Sequence, residues 1–82
     1  MNEIWMSETC IYCKRAKKLM DNQGFTYEYI NAEERNEEFK QKFPDAKTLP
    51  QIIFRGEHVG GYDGLVSTFE NQNIFIGGSS IS

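Results

Sequence analysis

At 82 residues the chain has room for one small domain and no second. Its 39% hydrophobic residues, with six Phe, four Tyr and one Trp, supply one modest core and argue against a disordered chain. Nine basic against twelve acidic residues leave a net charge of −3, which speaks against a nucleic-acid module, and no apolar run reaches the length of a membrane span.

Ile4-Trp5-Met6 reads as a short buried strand, followed by a polar turn at Ser7-Glu8-Thr9. From Cys10 the pattern changes. Cys13, Ala16, Leu19 and Met20 recur at three- and four-residue spacing, which predicts one apolar helix face. Lys14, Arg15, Lys17 and Lys18 fall mostly on the other face. Asn22-Gln23-Gly24 ends the helix, with Gly24 as its C-terminal cap. Phe25 to Ile30 alternates aromatic with polar residues and predicts a second strand. The stretch between the two strands is long enough for a crossover joining parallel neighbours. Glu33, Glu34, Glu37 and Glu38 open a second helix, where acidic groups suit the positive end of the helix dipole. Phe39 and Phe43 share its buried face, and Pro44 stops it. After Pro50, Gln51 to Phe54 extends as a third strand. Arg55-Gly56-Glu57 turns the chain, and His58-Val59 returns it as a hairpin. Gly60 to Gly64 reads as a loop, and Leu65 to Asn71 as a third helix with Leu65 and Phe69 inward. Residues 72–82 read as a flexible tail beyond a domain of residues 1–71, although Ile74, Phe75 and Ile76 can pack. The predicted order is β-α-β-α-β-β-α, an α/β fold.

The strongest chemical signal is Cys10-Ile11-Tyr12-Cys13. Two cysteines at i and i+3 can form a disulfide when they open a helix. The first then lies at the exposed end and the second about one turn inside. Unpaired N–H groups and partial positive charge at a helix start favour thiolate over thiol, and the basic residues after Cys13 add to that field. Cys10 is therefore the expected nucleophile and Cys13 the resolving thiol. A zinc site normally takes four ligands, and two Cys with one His are too few, so no metal is expected. A C-x-x-C beside a βαβ pattern points to redox chemistry instead. Met1 to Met6 lacks the basic start and apolar stretch of a signal peptide, so a reducing cytoplasmic setting is expected.

The C-x-x-C after the first strand, Thr48-Leu49-Pro50 before the third and Gly60-Gly61-Tyr62-Asp63 after the fourth resemble the glutaredoxin family, most of all its small bacteriophage members. The resemblance covers roughly residues 3–71 and rests on the three motifs together. It implies a thioredoxin fold: a four-stranded mixed sheet, order 2-1-3-4, flanked by three helices, with Pro50 in the cis form facing the cysteines. It also implies glutathione as co-substrate, with no bound cofactor. By the same resemblance, Tyr12 flanks the sulfur pair and Lys47 meets the glycyl carboxylate. Thr48, Leu49 and Pro50 line the centre, with the Leu49 backbone free to pair with an extended peptide. Gly61, Tyr62 and Asp63 hold the γ-glutamyl end, and Asp63 also suits an N-cap of the last helix. Disulfide-bearing proteins, ribonucleotide reductase among them, are the implied clients of a monomer that binds neither nucleic acid nor membrane. His58 reads as a hairpin residue rather than a catalytic base.

The chain departs from the family pattern twice. Ile11 stands where the commonest motif has Pro, and Ser7-Glu8-Thr9 lacks the Lys that usually precedes the first cysteine. Both changes bear on thiolate stability and reduction potential more than on the reaction class. Two other readings compete. One is a glutaredoxin-shaped reductant served by thioredoxin reductase, against which Tyr62-Asp63 after the double glycine argues. The other is an iron–sulfur or metal-binding module that uses Cys10 from two subunits.

Overall fold

The computed structural model describes residues 1–74. Seven elements follow one another: β1 (Glu3–Met6), α1 (Ile11–Asn22), β2 (Glu28–Asn31), α2 (Asn36–Lys42), β3 (Gln51–Phe54), β4 (Glu57–Gly60) and α3 (Tyr62–Asn71). The sheet order is β2-β1-β3-β4, as the resemblance implies. β1 runs parallel to β2 and antiparallel to β3, and β3 pairs antiparallel with β4.

Alternation along the strands sorts side chains to two faces. Ile4, Met6, Ile52 and Phe54 face one side and meet Cys13, Ala16 and Met20 of α1 and Leu65 and Phe69 of α3, all buried. Trp5 and Ile30 face the other side and meet Phe43 at the end of α2. Three helices thus cover both faces of one sheet.

Several boundaries differ from the sequence expectation, each for a local reason. β2 begins at Glu28, not Phe25, because Phe25 leaves the strand line for the core. Its ring lies edge-on to Phe54 at 5.0 Å and against Phe69 at 5.5 Å. Gly24 does follow the α1 C-terminus with positive φ, and the Phe25 amide donates back to the Met20 carbonyl at 3.0 Å. α2 begins at Asn36, not Glu33. The Asn31 side chain accepts from the Glu33 and Glu34 amides at 2.8 and 3.1 Å, which holds those residues in a turn ahead of the helix. The hairpin turns on Arg55 and Gly56, both at positive φ, the two-residue form that matches strand twist.

α3 begins at Tyr62, three residues before the expected start. Gly61 caps it with extended backbone, and the Leu65 amide donates to the Gly61 carbonyl at 3.0 Å. Asp63 is therefore inside the first turn and is not the N-cap. At the other end, the Ile74 amide donates to the Phe69 carbonyl at 2.9 Å, and Arg55 Nη1 donates to Gln72 Oε1 at 2.7 Å. The first residues of the expected tail are thus tied to the domain. The rest of it, residues 75–82, lies outside the described residues.

Candidate active site

The first sulfur sits at the junction of β1 and α1. Cys10 is the N-cap of α1, with extended backbone at φ −86° and ψ 114°. That conformation turns its side chain back over the first helical turn, where the Cys13 amide donates to Cys10 Sγ at 3.1 Å. A cap of this kind normally uses a side-chain oxygen. Here a sulfur takes the orphan N–H. The Cys10 thiol also reaches the Leu49 carbonyl at 3.6 Å, which ties the helix start to the segment before β3.

Cys13 lies one turn deeper and is fully buried among core side chains. Both cysteines are free thiols. Burial pushes the Cys13 thiol from its ordinary 9.0 up to about 12, and the bond and charge of Cys10 push the same way. The Ser7 main-chain amide donates toward Cys13 and pulls in the opposite direction. The two sulfurs are therefore unequally placed. Cys10 lies at the rim and accepts a hydrogen bond, which leaves it the accessible sulfur of the pair. In a thiol–disulfide exchange this placement would allow Cys13 Sγ to attack a mixed disulfide at Cys10 Sγ, with the substrate sulfur leaving as thiolate and the two protein sulfurs left as a disulfide.

Two grooves flank the sulfur. One, of about 420 Å³, is lined by Tyr12, Thr48, Leu49, Pro50, Gly61, Tyr62 and Asp63. The other, of about 500 Å³, is lined by Cys10, Phe39, Ala46, Lys47, Thr48 and Leu49. Thr48 and Leu49 form the ridge between them. The Leu49–Pro50 peptide is cis and Pro50 is buried beneath that ridge. Of the residues singled out for substrate, only Lys47 lies outside the first groove. It sits in the second, beside Cys10.

Three local features build the first groove. β4 carries a bulge: Ile53 pairs with His58 but Ile52 pairs with Gly60, so Val59 is the extra residue. The shift carries Gly61 next to Pro50, where a Cβ would lie 3.5 Å from the Pro50 carbonyl oxygen. Tyr62 at the α3 start and Tyr12 on α1 bring their rings to 6.0 Å and close the groove from above. Arg15 lies 5.4 Å from the Tyr12 ring, and Tyr12 itself is 54% exposed.

Comparison with known proteins bears directly on this dithiol. The family model described as Glutaredoxin matches residues 2–59. The chain belongs to the glutaredoxin family. It is 39% identical over 67 residues to Glutaredoxin 3 of Escherichia coli, covering 77% of this chain and 78% of that protein. Its structure is similar to that of reduced Escherichia coli glutaredoxin, with a TM-score of 0.71 and 28% identity over 88% of this chain and 95% of the other. A buckwheat glutaredoxin–glutathione complex shares the fold, with a TM-score of 0.74 at 23% identity over 89% of this chain and 71% of the other. This glutaredoxin is a thiol–disulfide oxidoreductase, and Cys10 and Cys13 are the free thiols of its C-x-x-C motif.

Sequence reasoning found the two cysteines and the three groove segments. It missed the Ser7 amide and the Phe39–Ala46 wall of the second groove. A main-chain donor carries no residue-type signal, and the wall depends on where α2 ends. It also read Gly64 as loop, whereas a Cβ there would fall 1.8 Å from the Val59 carbonyl oxygen. Gly64 is what lets the α3 start, with Tyr62 and Asp63, lie directly on β4.

Proposed function

We propose that this glutaredoxin is glutathione-dependent and reduces glutathione mixed disulfides and protein disulfides. The observation that carries the reading is the groove beside Cys10, which gathers a peptide-pairing ridge at Leu49 and a helix start at Gly61–Asp63. A short peptide disulfide can lie along Leu49, with its charged end against the main-chain amides and the Asp63 carboxylate at the α3 start. Lys47 supplies a cation for the opposite carboxylate from the second groove.

With a glutathione mixed disulfide, Cys10 takes the glutathionyl sulfur and releases the other thiolate. A second glutathione thiolate then attacks that bond, giving glutathione disulfide and free Cys10. With a protein disulfide, Cys13 completes the first exchange, and two glutathiones reduce the resulting Cys10–Cys13 bond. Ribonucleotide reductase, a monomeric state and a cytoplasmic setting belong to the same reading.

Glutathione-coupled turnover of a glutathione mixed disulfide tests it. Wild type and Cys13→Ser are expected to turn over, and Cys10→Ser to fall to background. Wild type that reduces disulfides with dithiothreitol but not with glutathione would overturn the reading.

A further inference from the structure

A buried amide connects the groove to a hairpin residue outside it. Gln51, the first residue of β3, is only 7% exposed, an unusual place for a polar side chain. Its Nε2 donates to the Thr48 carbonyl at 2.9 Å, and its Oε1 lies 2.7 Å from His58 Nε2. An amide oxygen only accepts, so His58 Nε2 carries the proton and donates. The His58 ring is laid against Phe43, with centroids 4.7 Å apart, although His58 as a residue is exposed. The line therefore runs from Phe43 and His58 through Gln51 to the main chain at Thr48.

The end of that line matters because of peptide geometry. The Thr48 carbonyl and the Leu49 N–H belong to one planar trans unit and point in opposite directions. Thr48 and Leu49 lie ahead of β3, so no strand ladder fixes that plane. The buried Gln51 holds the Thr48 carbonyl, which turns the Leu49 N–H to the opposite side of that peptide, away from Gln51. The Leu49 carbonyl, on the adjoining unit, accepts from the Cys10 thiol.

We infer that His58 is a positioning residue: acting through Gln51, it sets the Thr48–Leu49 peptide plane that receives the substrate's main chain beside Cys10. This rests on the reading that a peptidyl substrate lies along Leu49, and it needs no role for glutathione. Loss of His58 weakens the hold on peptide substrates and leaves sulfur exchange itself intact.

Pre-reduced enzyme in single turnovers with excess disulfide tests this without any added reductant. One probe is a disulfide-linked dimer of a short cysteine peptide. The other is hydroxyethyl disulfide, which has no peptide groups. His58→Phe keeps a ring on Phe43 and removes the donor. It is expected to raise the half-saturation concentration for the peptide about three- to tenfold, the range for one lost hydrogen bond, with the limiting rate held within about twofold. Its rate with hydroxyethyl disulfide is expected to match wild type. His58→Gln, which restores an N–H donor, is expected to return toward wild type on the peptide. An unchanged half-saturation for the peptide in His58→Phe would overturn the inference. So would an equal slowing of both probes alongside a lower melting temperature, since that is the mark of a purely structural residue.

Discussion

On one face of the sheet, Ile4, Met6, Ile52 and Phe54 meet the inner sides of α1 and α3, and every contacting side chain of the cluster's centre is buried. On the other face, Trp5 and Ile30 meet Phe43, while no residue within α2 itself is buried. The packing there is aromatic and rimmed by charge, with Arg35 and Lys42 at 5.5 and 5.4 Å from the Trp5 ring. The chemistry divides along the same line. Cys13 is a member of the tight face. Lys47 and the Gln51–His58 pair belong to the α2 side. On the proposed reading, a resolving sulfur works from a dry, fixed place, whereas a wall that meets many peptide backbones tolerates a looser mounting. The tight face should therefore be unforgiving of added volume, and the α2 face only mildly sensitive to lost charge.

Gly64→Ala is the strongest way to test the first half of that contrast. In an ordinary helix this change stabilises by about 1 kcal/mol. Here the new Cβ would fall 1.8 Å from the Val59 carbonyl oxygen and 2.9 Å from its carbon, and backbone cannot step aside cheaply. The expected result is a loss of about 3 kcal/mol, the upper part of the overpacking range, or roughly 10–20 °C in melting temperature. The groove should suffer too, because Tyr62 and Asp63 ride on the same turn. A variant that melts at or above wild type would show that α3 is free to lift from β4.

Cys13 gives a second, pH-dependent view of the tight face. A thiol whose folded pKa lies above its unfolded value keeps its proton longer when folded. Its stabilising contribution is complete below about pH 9, the ordinary thiol value, and is lost as pH rises toward about 12. Folding stability should fall there by up to about 1.4 kcal/mol per pH unit from this group. Tyr27, raised to about 12 first by burial and then by Asp21, acts in the same direction. Chemical denaturation from pH 8 to 11 should thus give a steeper decline for wild type than for Cys13→Ala, in which only the tyrosine part remains. Equal slopes would mean that Cys13 is hydrated in the folded state.

The contrast between faces also explains what could be read in the sequence. The α1 face was legible because Cys13, Ala16 and Met20 obey one helical period, and all three are buried. The hairpin and the crossover were legible from Arg55-Gly56-Glu57 and from alternating element types, and the strand order from the family resemblance. The start of α2 was not, because it depends on which amides the Asn31 side chain takes. The start of α3 was not either. Gly60, Gly61 and Gly64 look like loop, and only the close approach to Val59 explains a glycine in that first turn. The groove segments were recognisable as motifs. The tie from His58 to Thr48 was not, since it joins residues of two strands across a bulged register that no local pattern reveals.

The α2 face supplies the smallest predicted effect. Glu3 Oε1 accepts from Trp5 Nε1 and from Lys42 Nζ, each at 2.8 Å. Burial pushes the Glu3 carboxyl up, but the hydrogen bonds of Lys42 and Trp5 and the nearby charges outweigh it, and the net pKa lies below the ordinary 4.5. A carboxylate shifted this way contributes stability above about pH 4.5 that is lost as pH falls below it. Lys42 is well exposed, so Lys42→Met should cost less than about 1 kcal/mol at pH 7. The gap to wild type should close toward pH 3, where protonated Glu3 no longer holds a charge for Lys42 to meet. Thermal melting at the two pH values measures this. A gap that persists undiminished at pH 3 would assign the role of Lys42 to its aliphatic stem on the Trp5 ring, and the α2 face would then be held by packing alone.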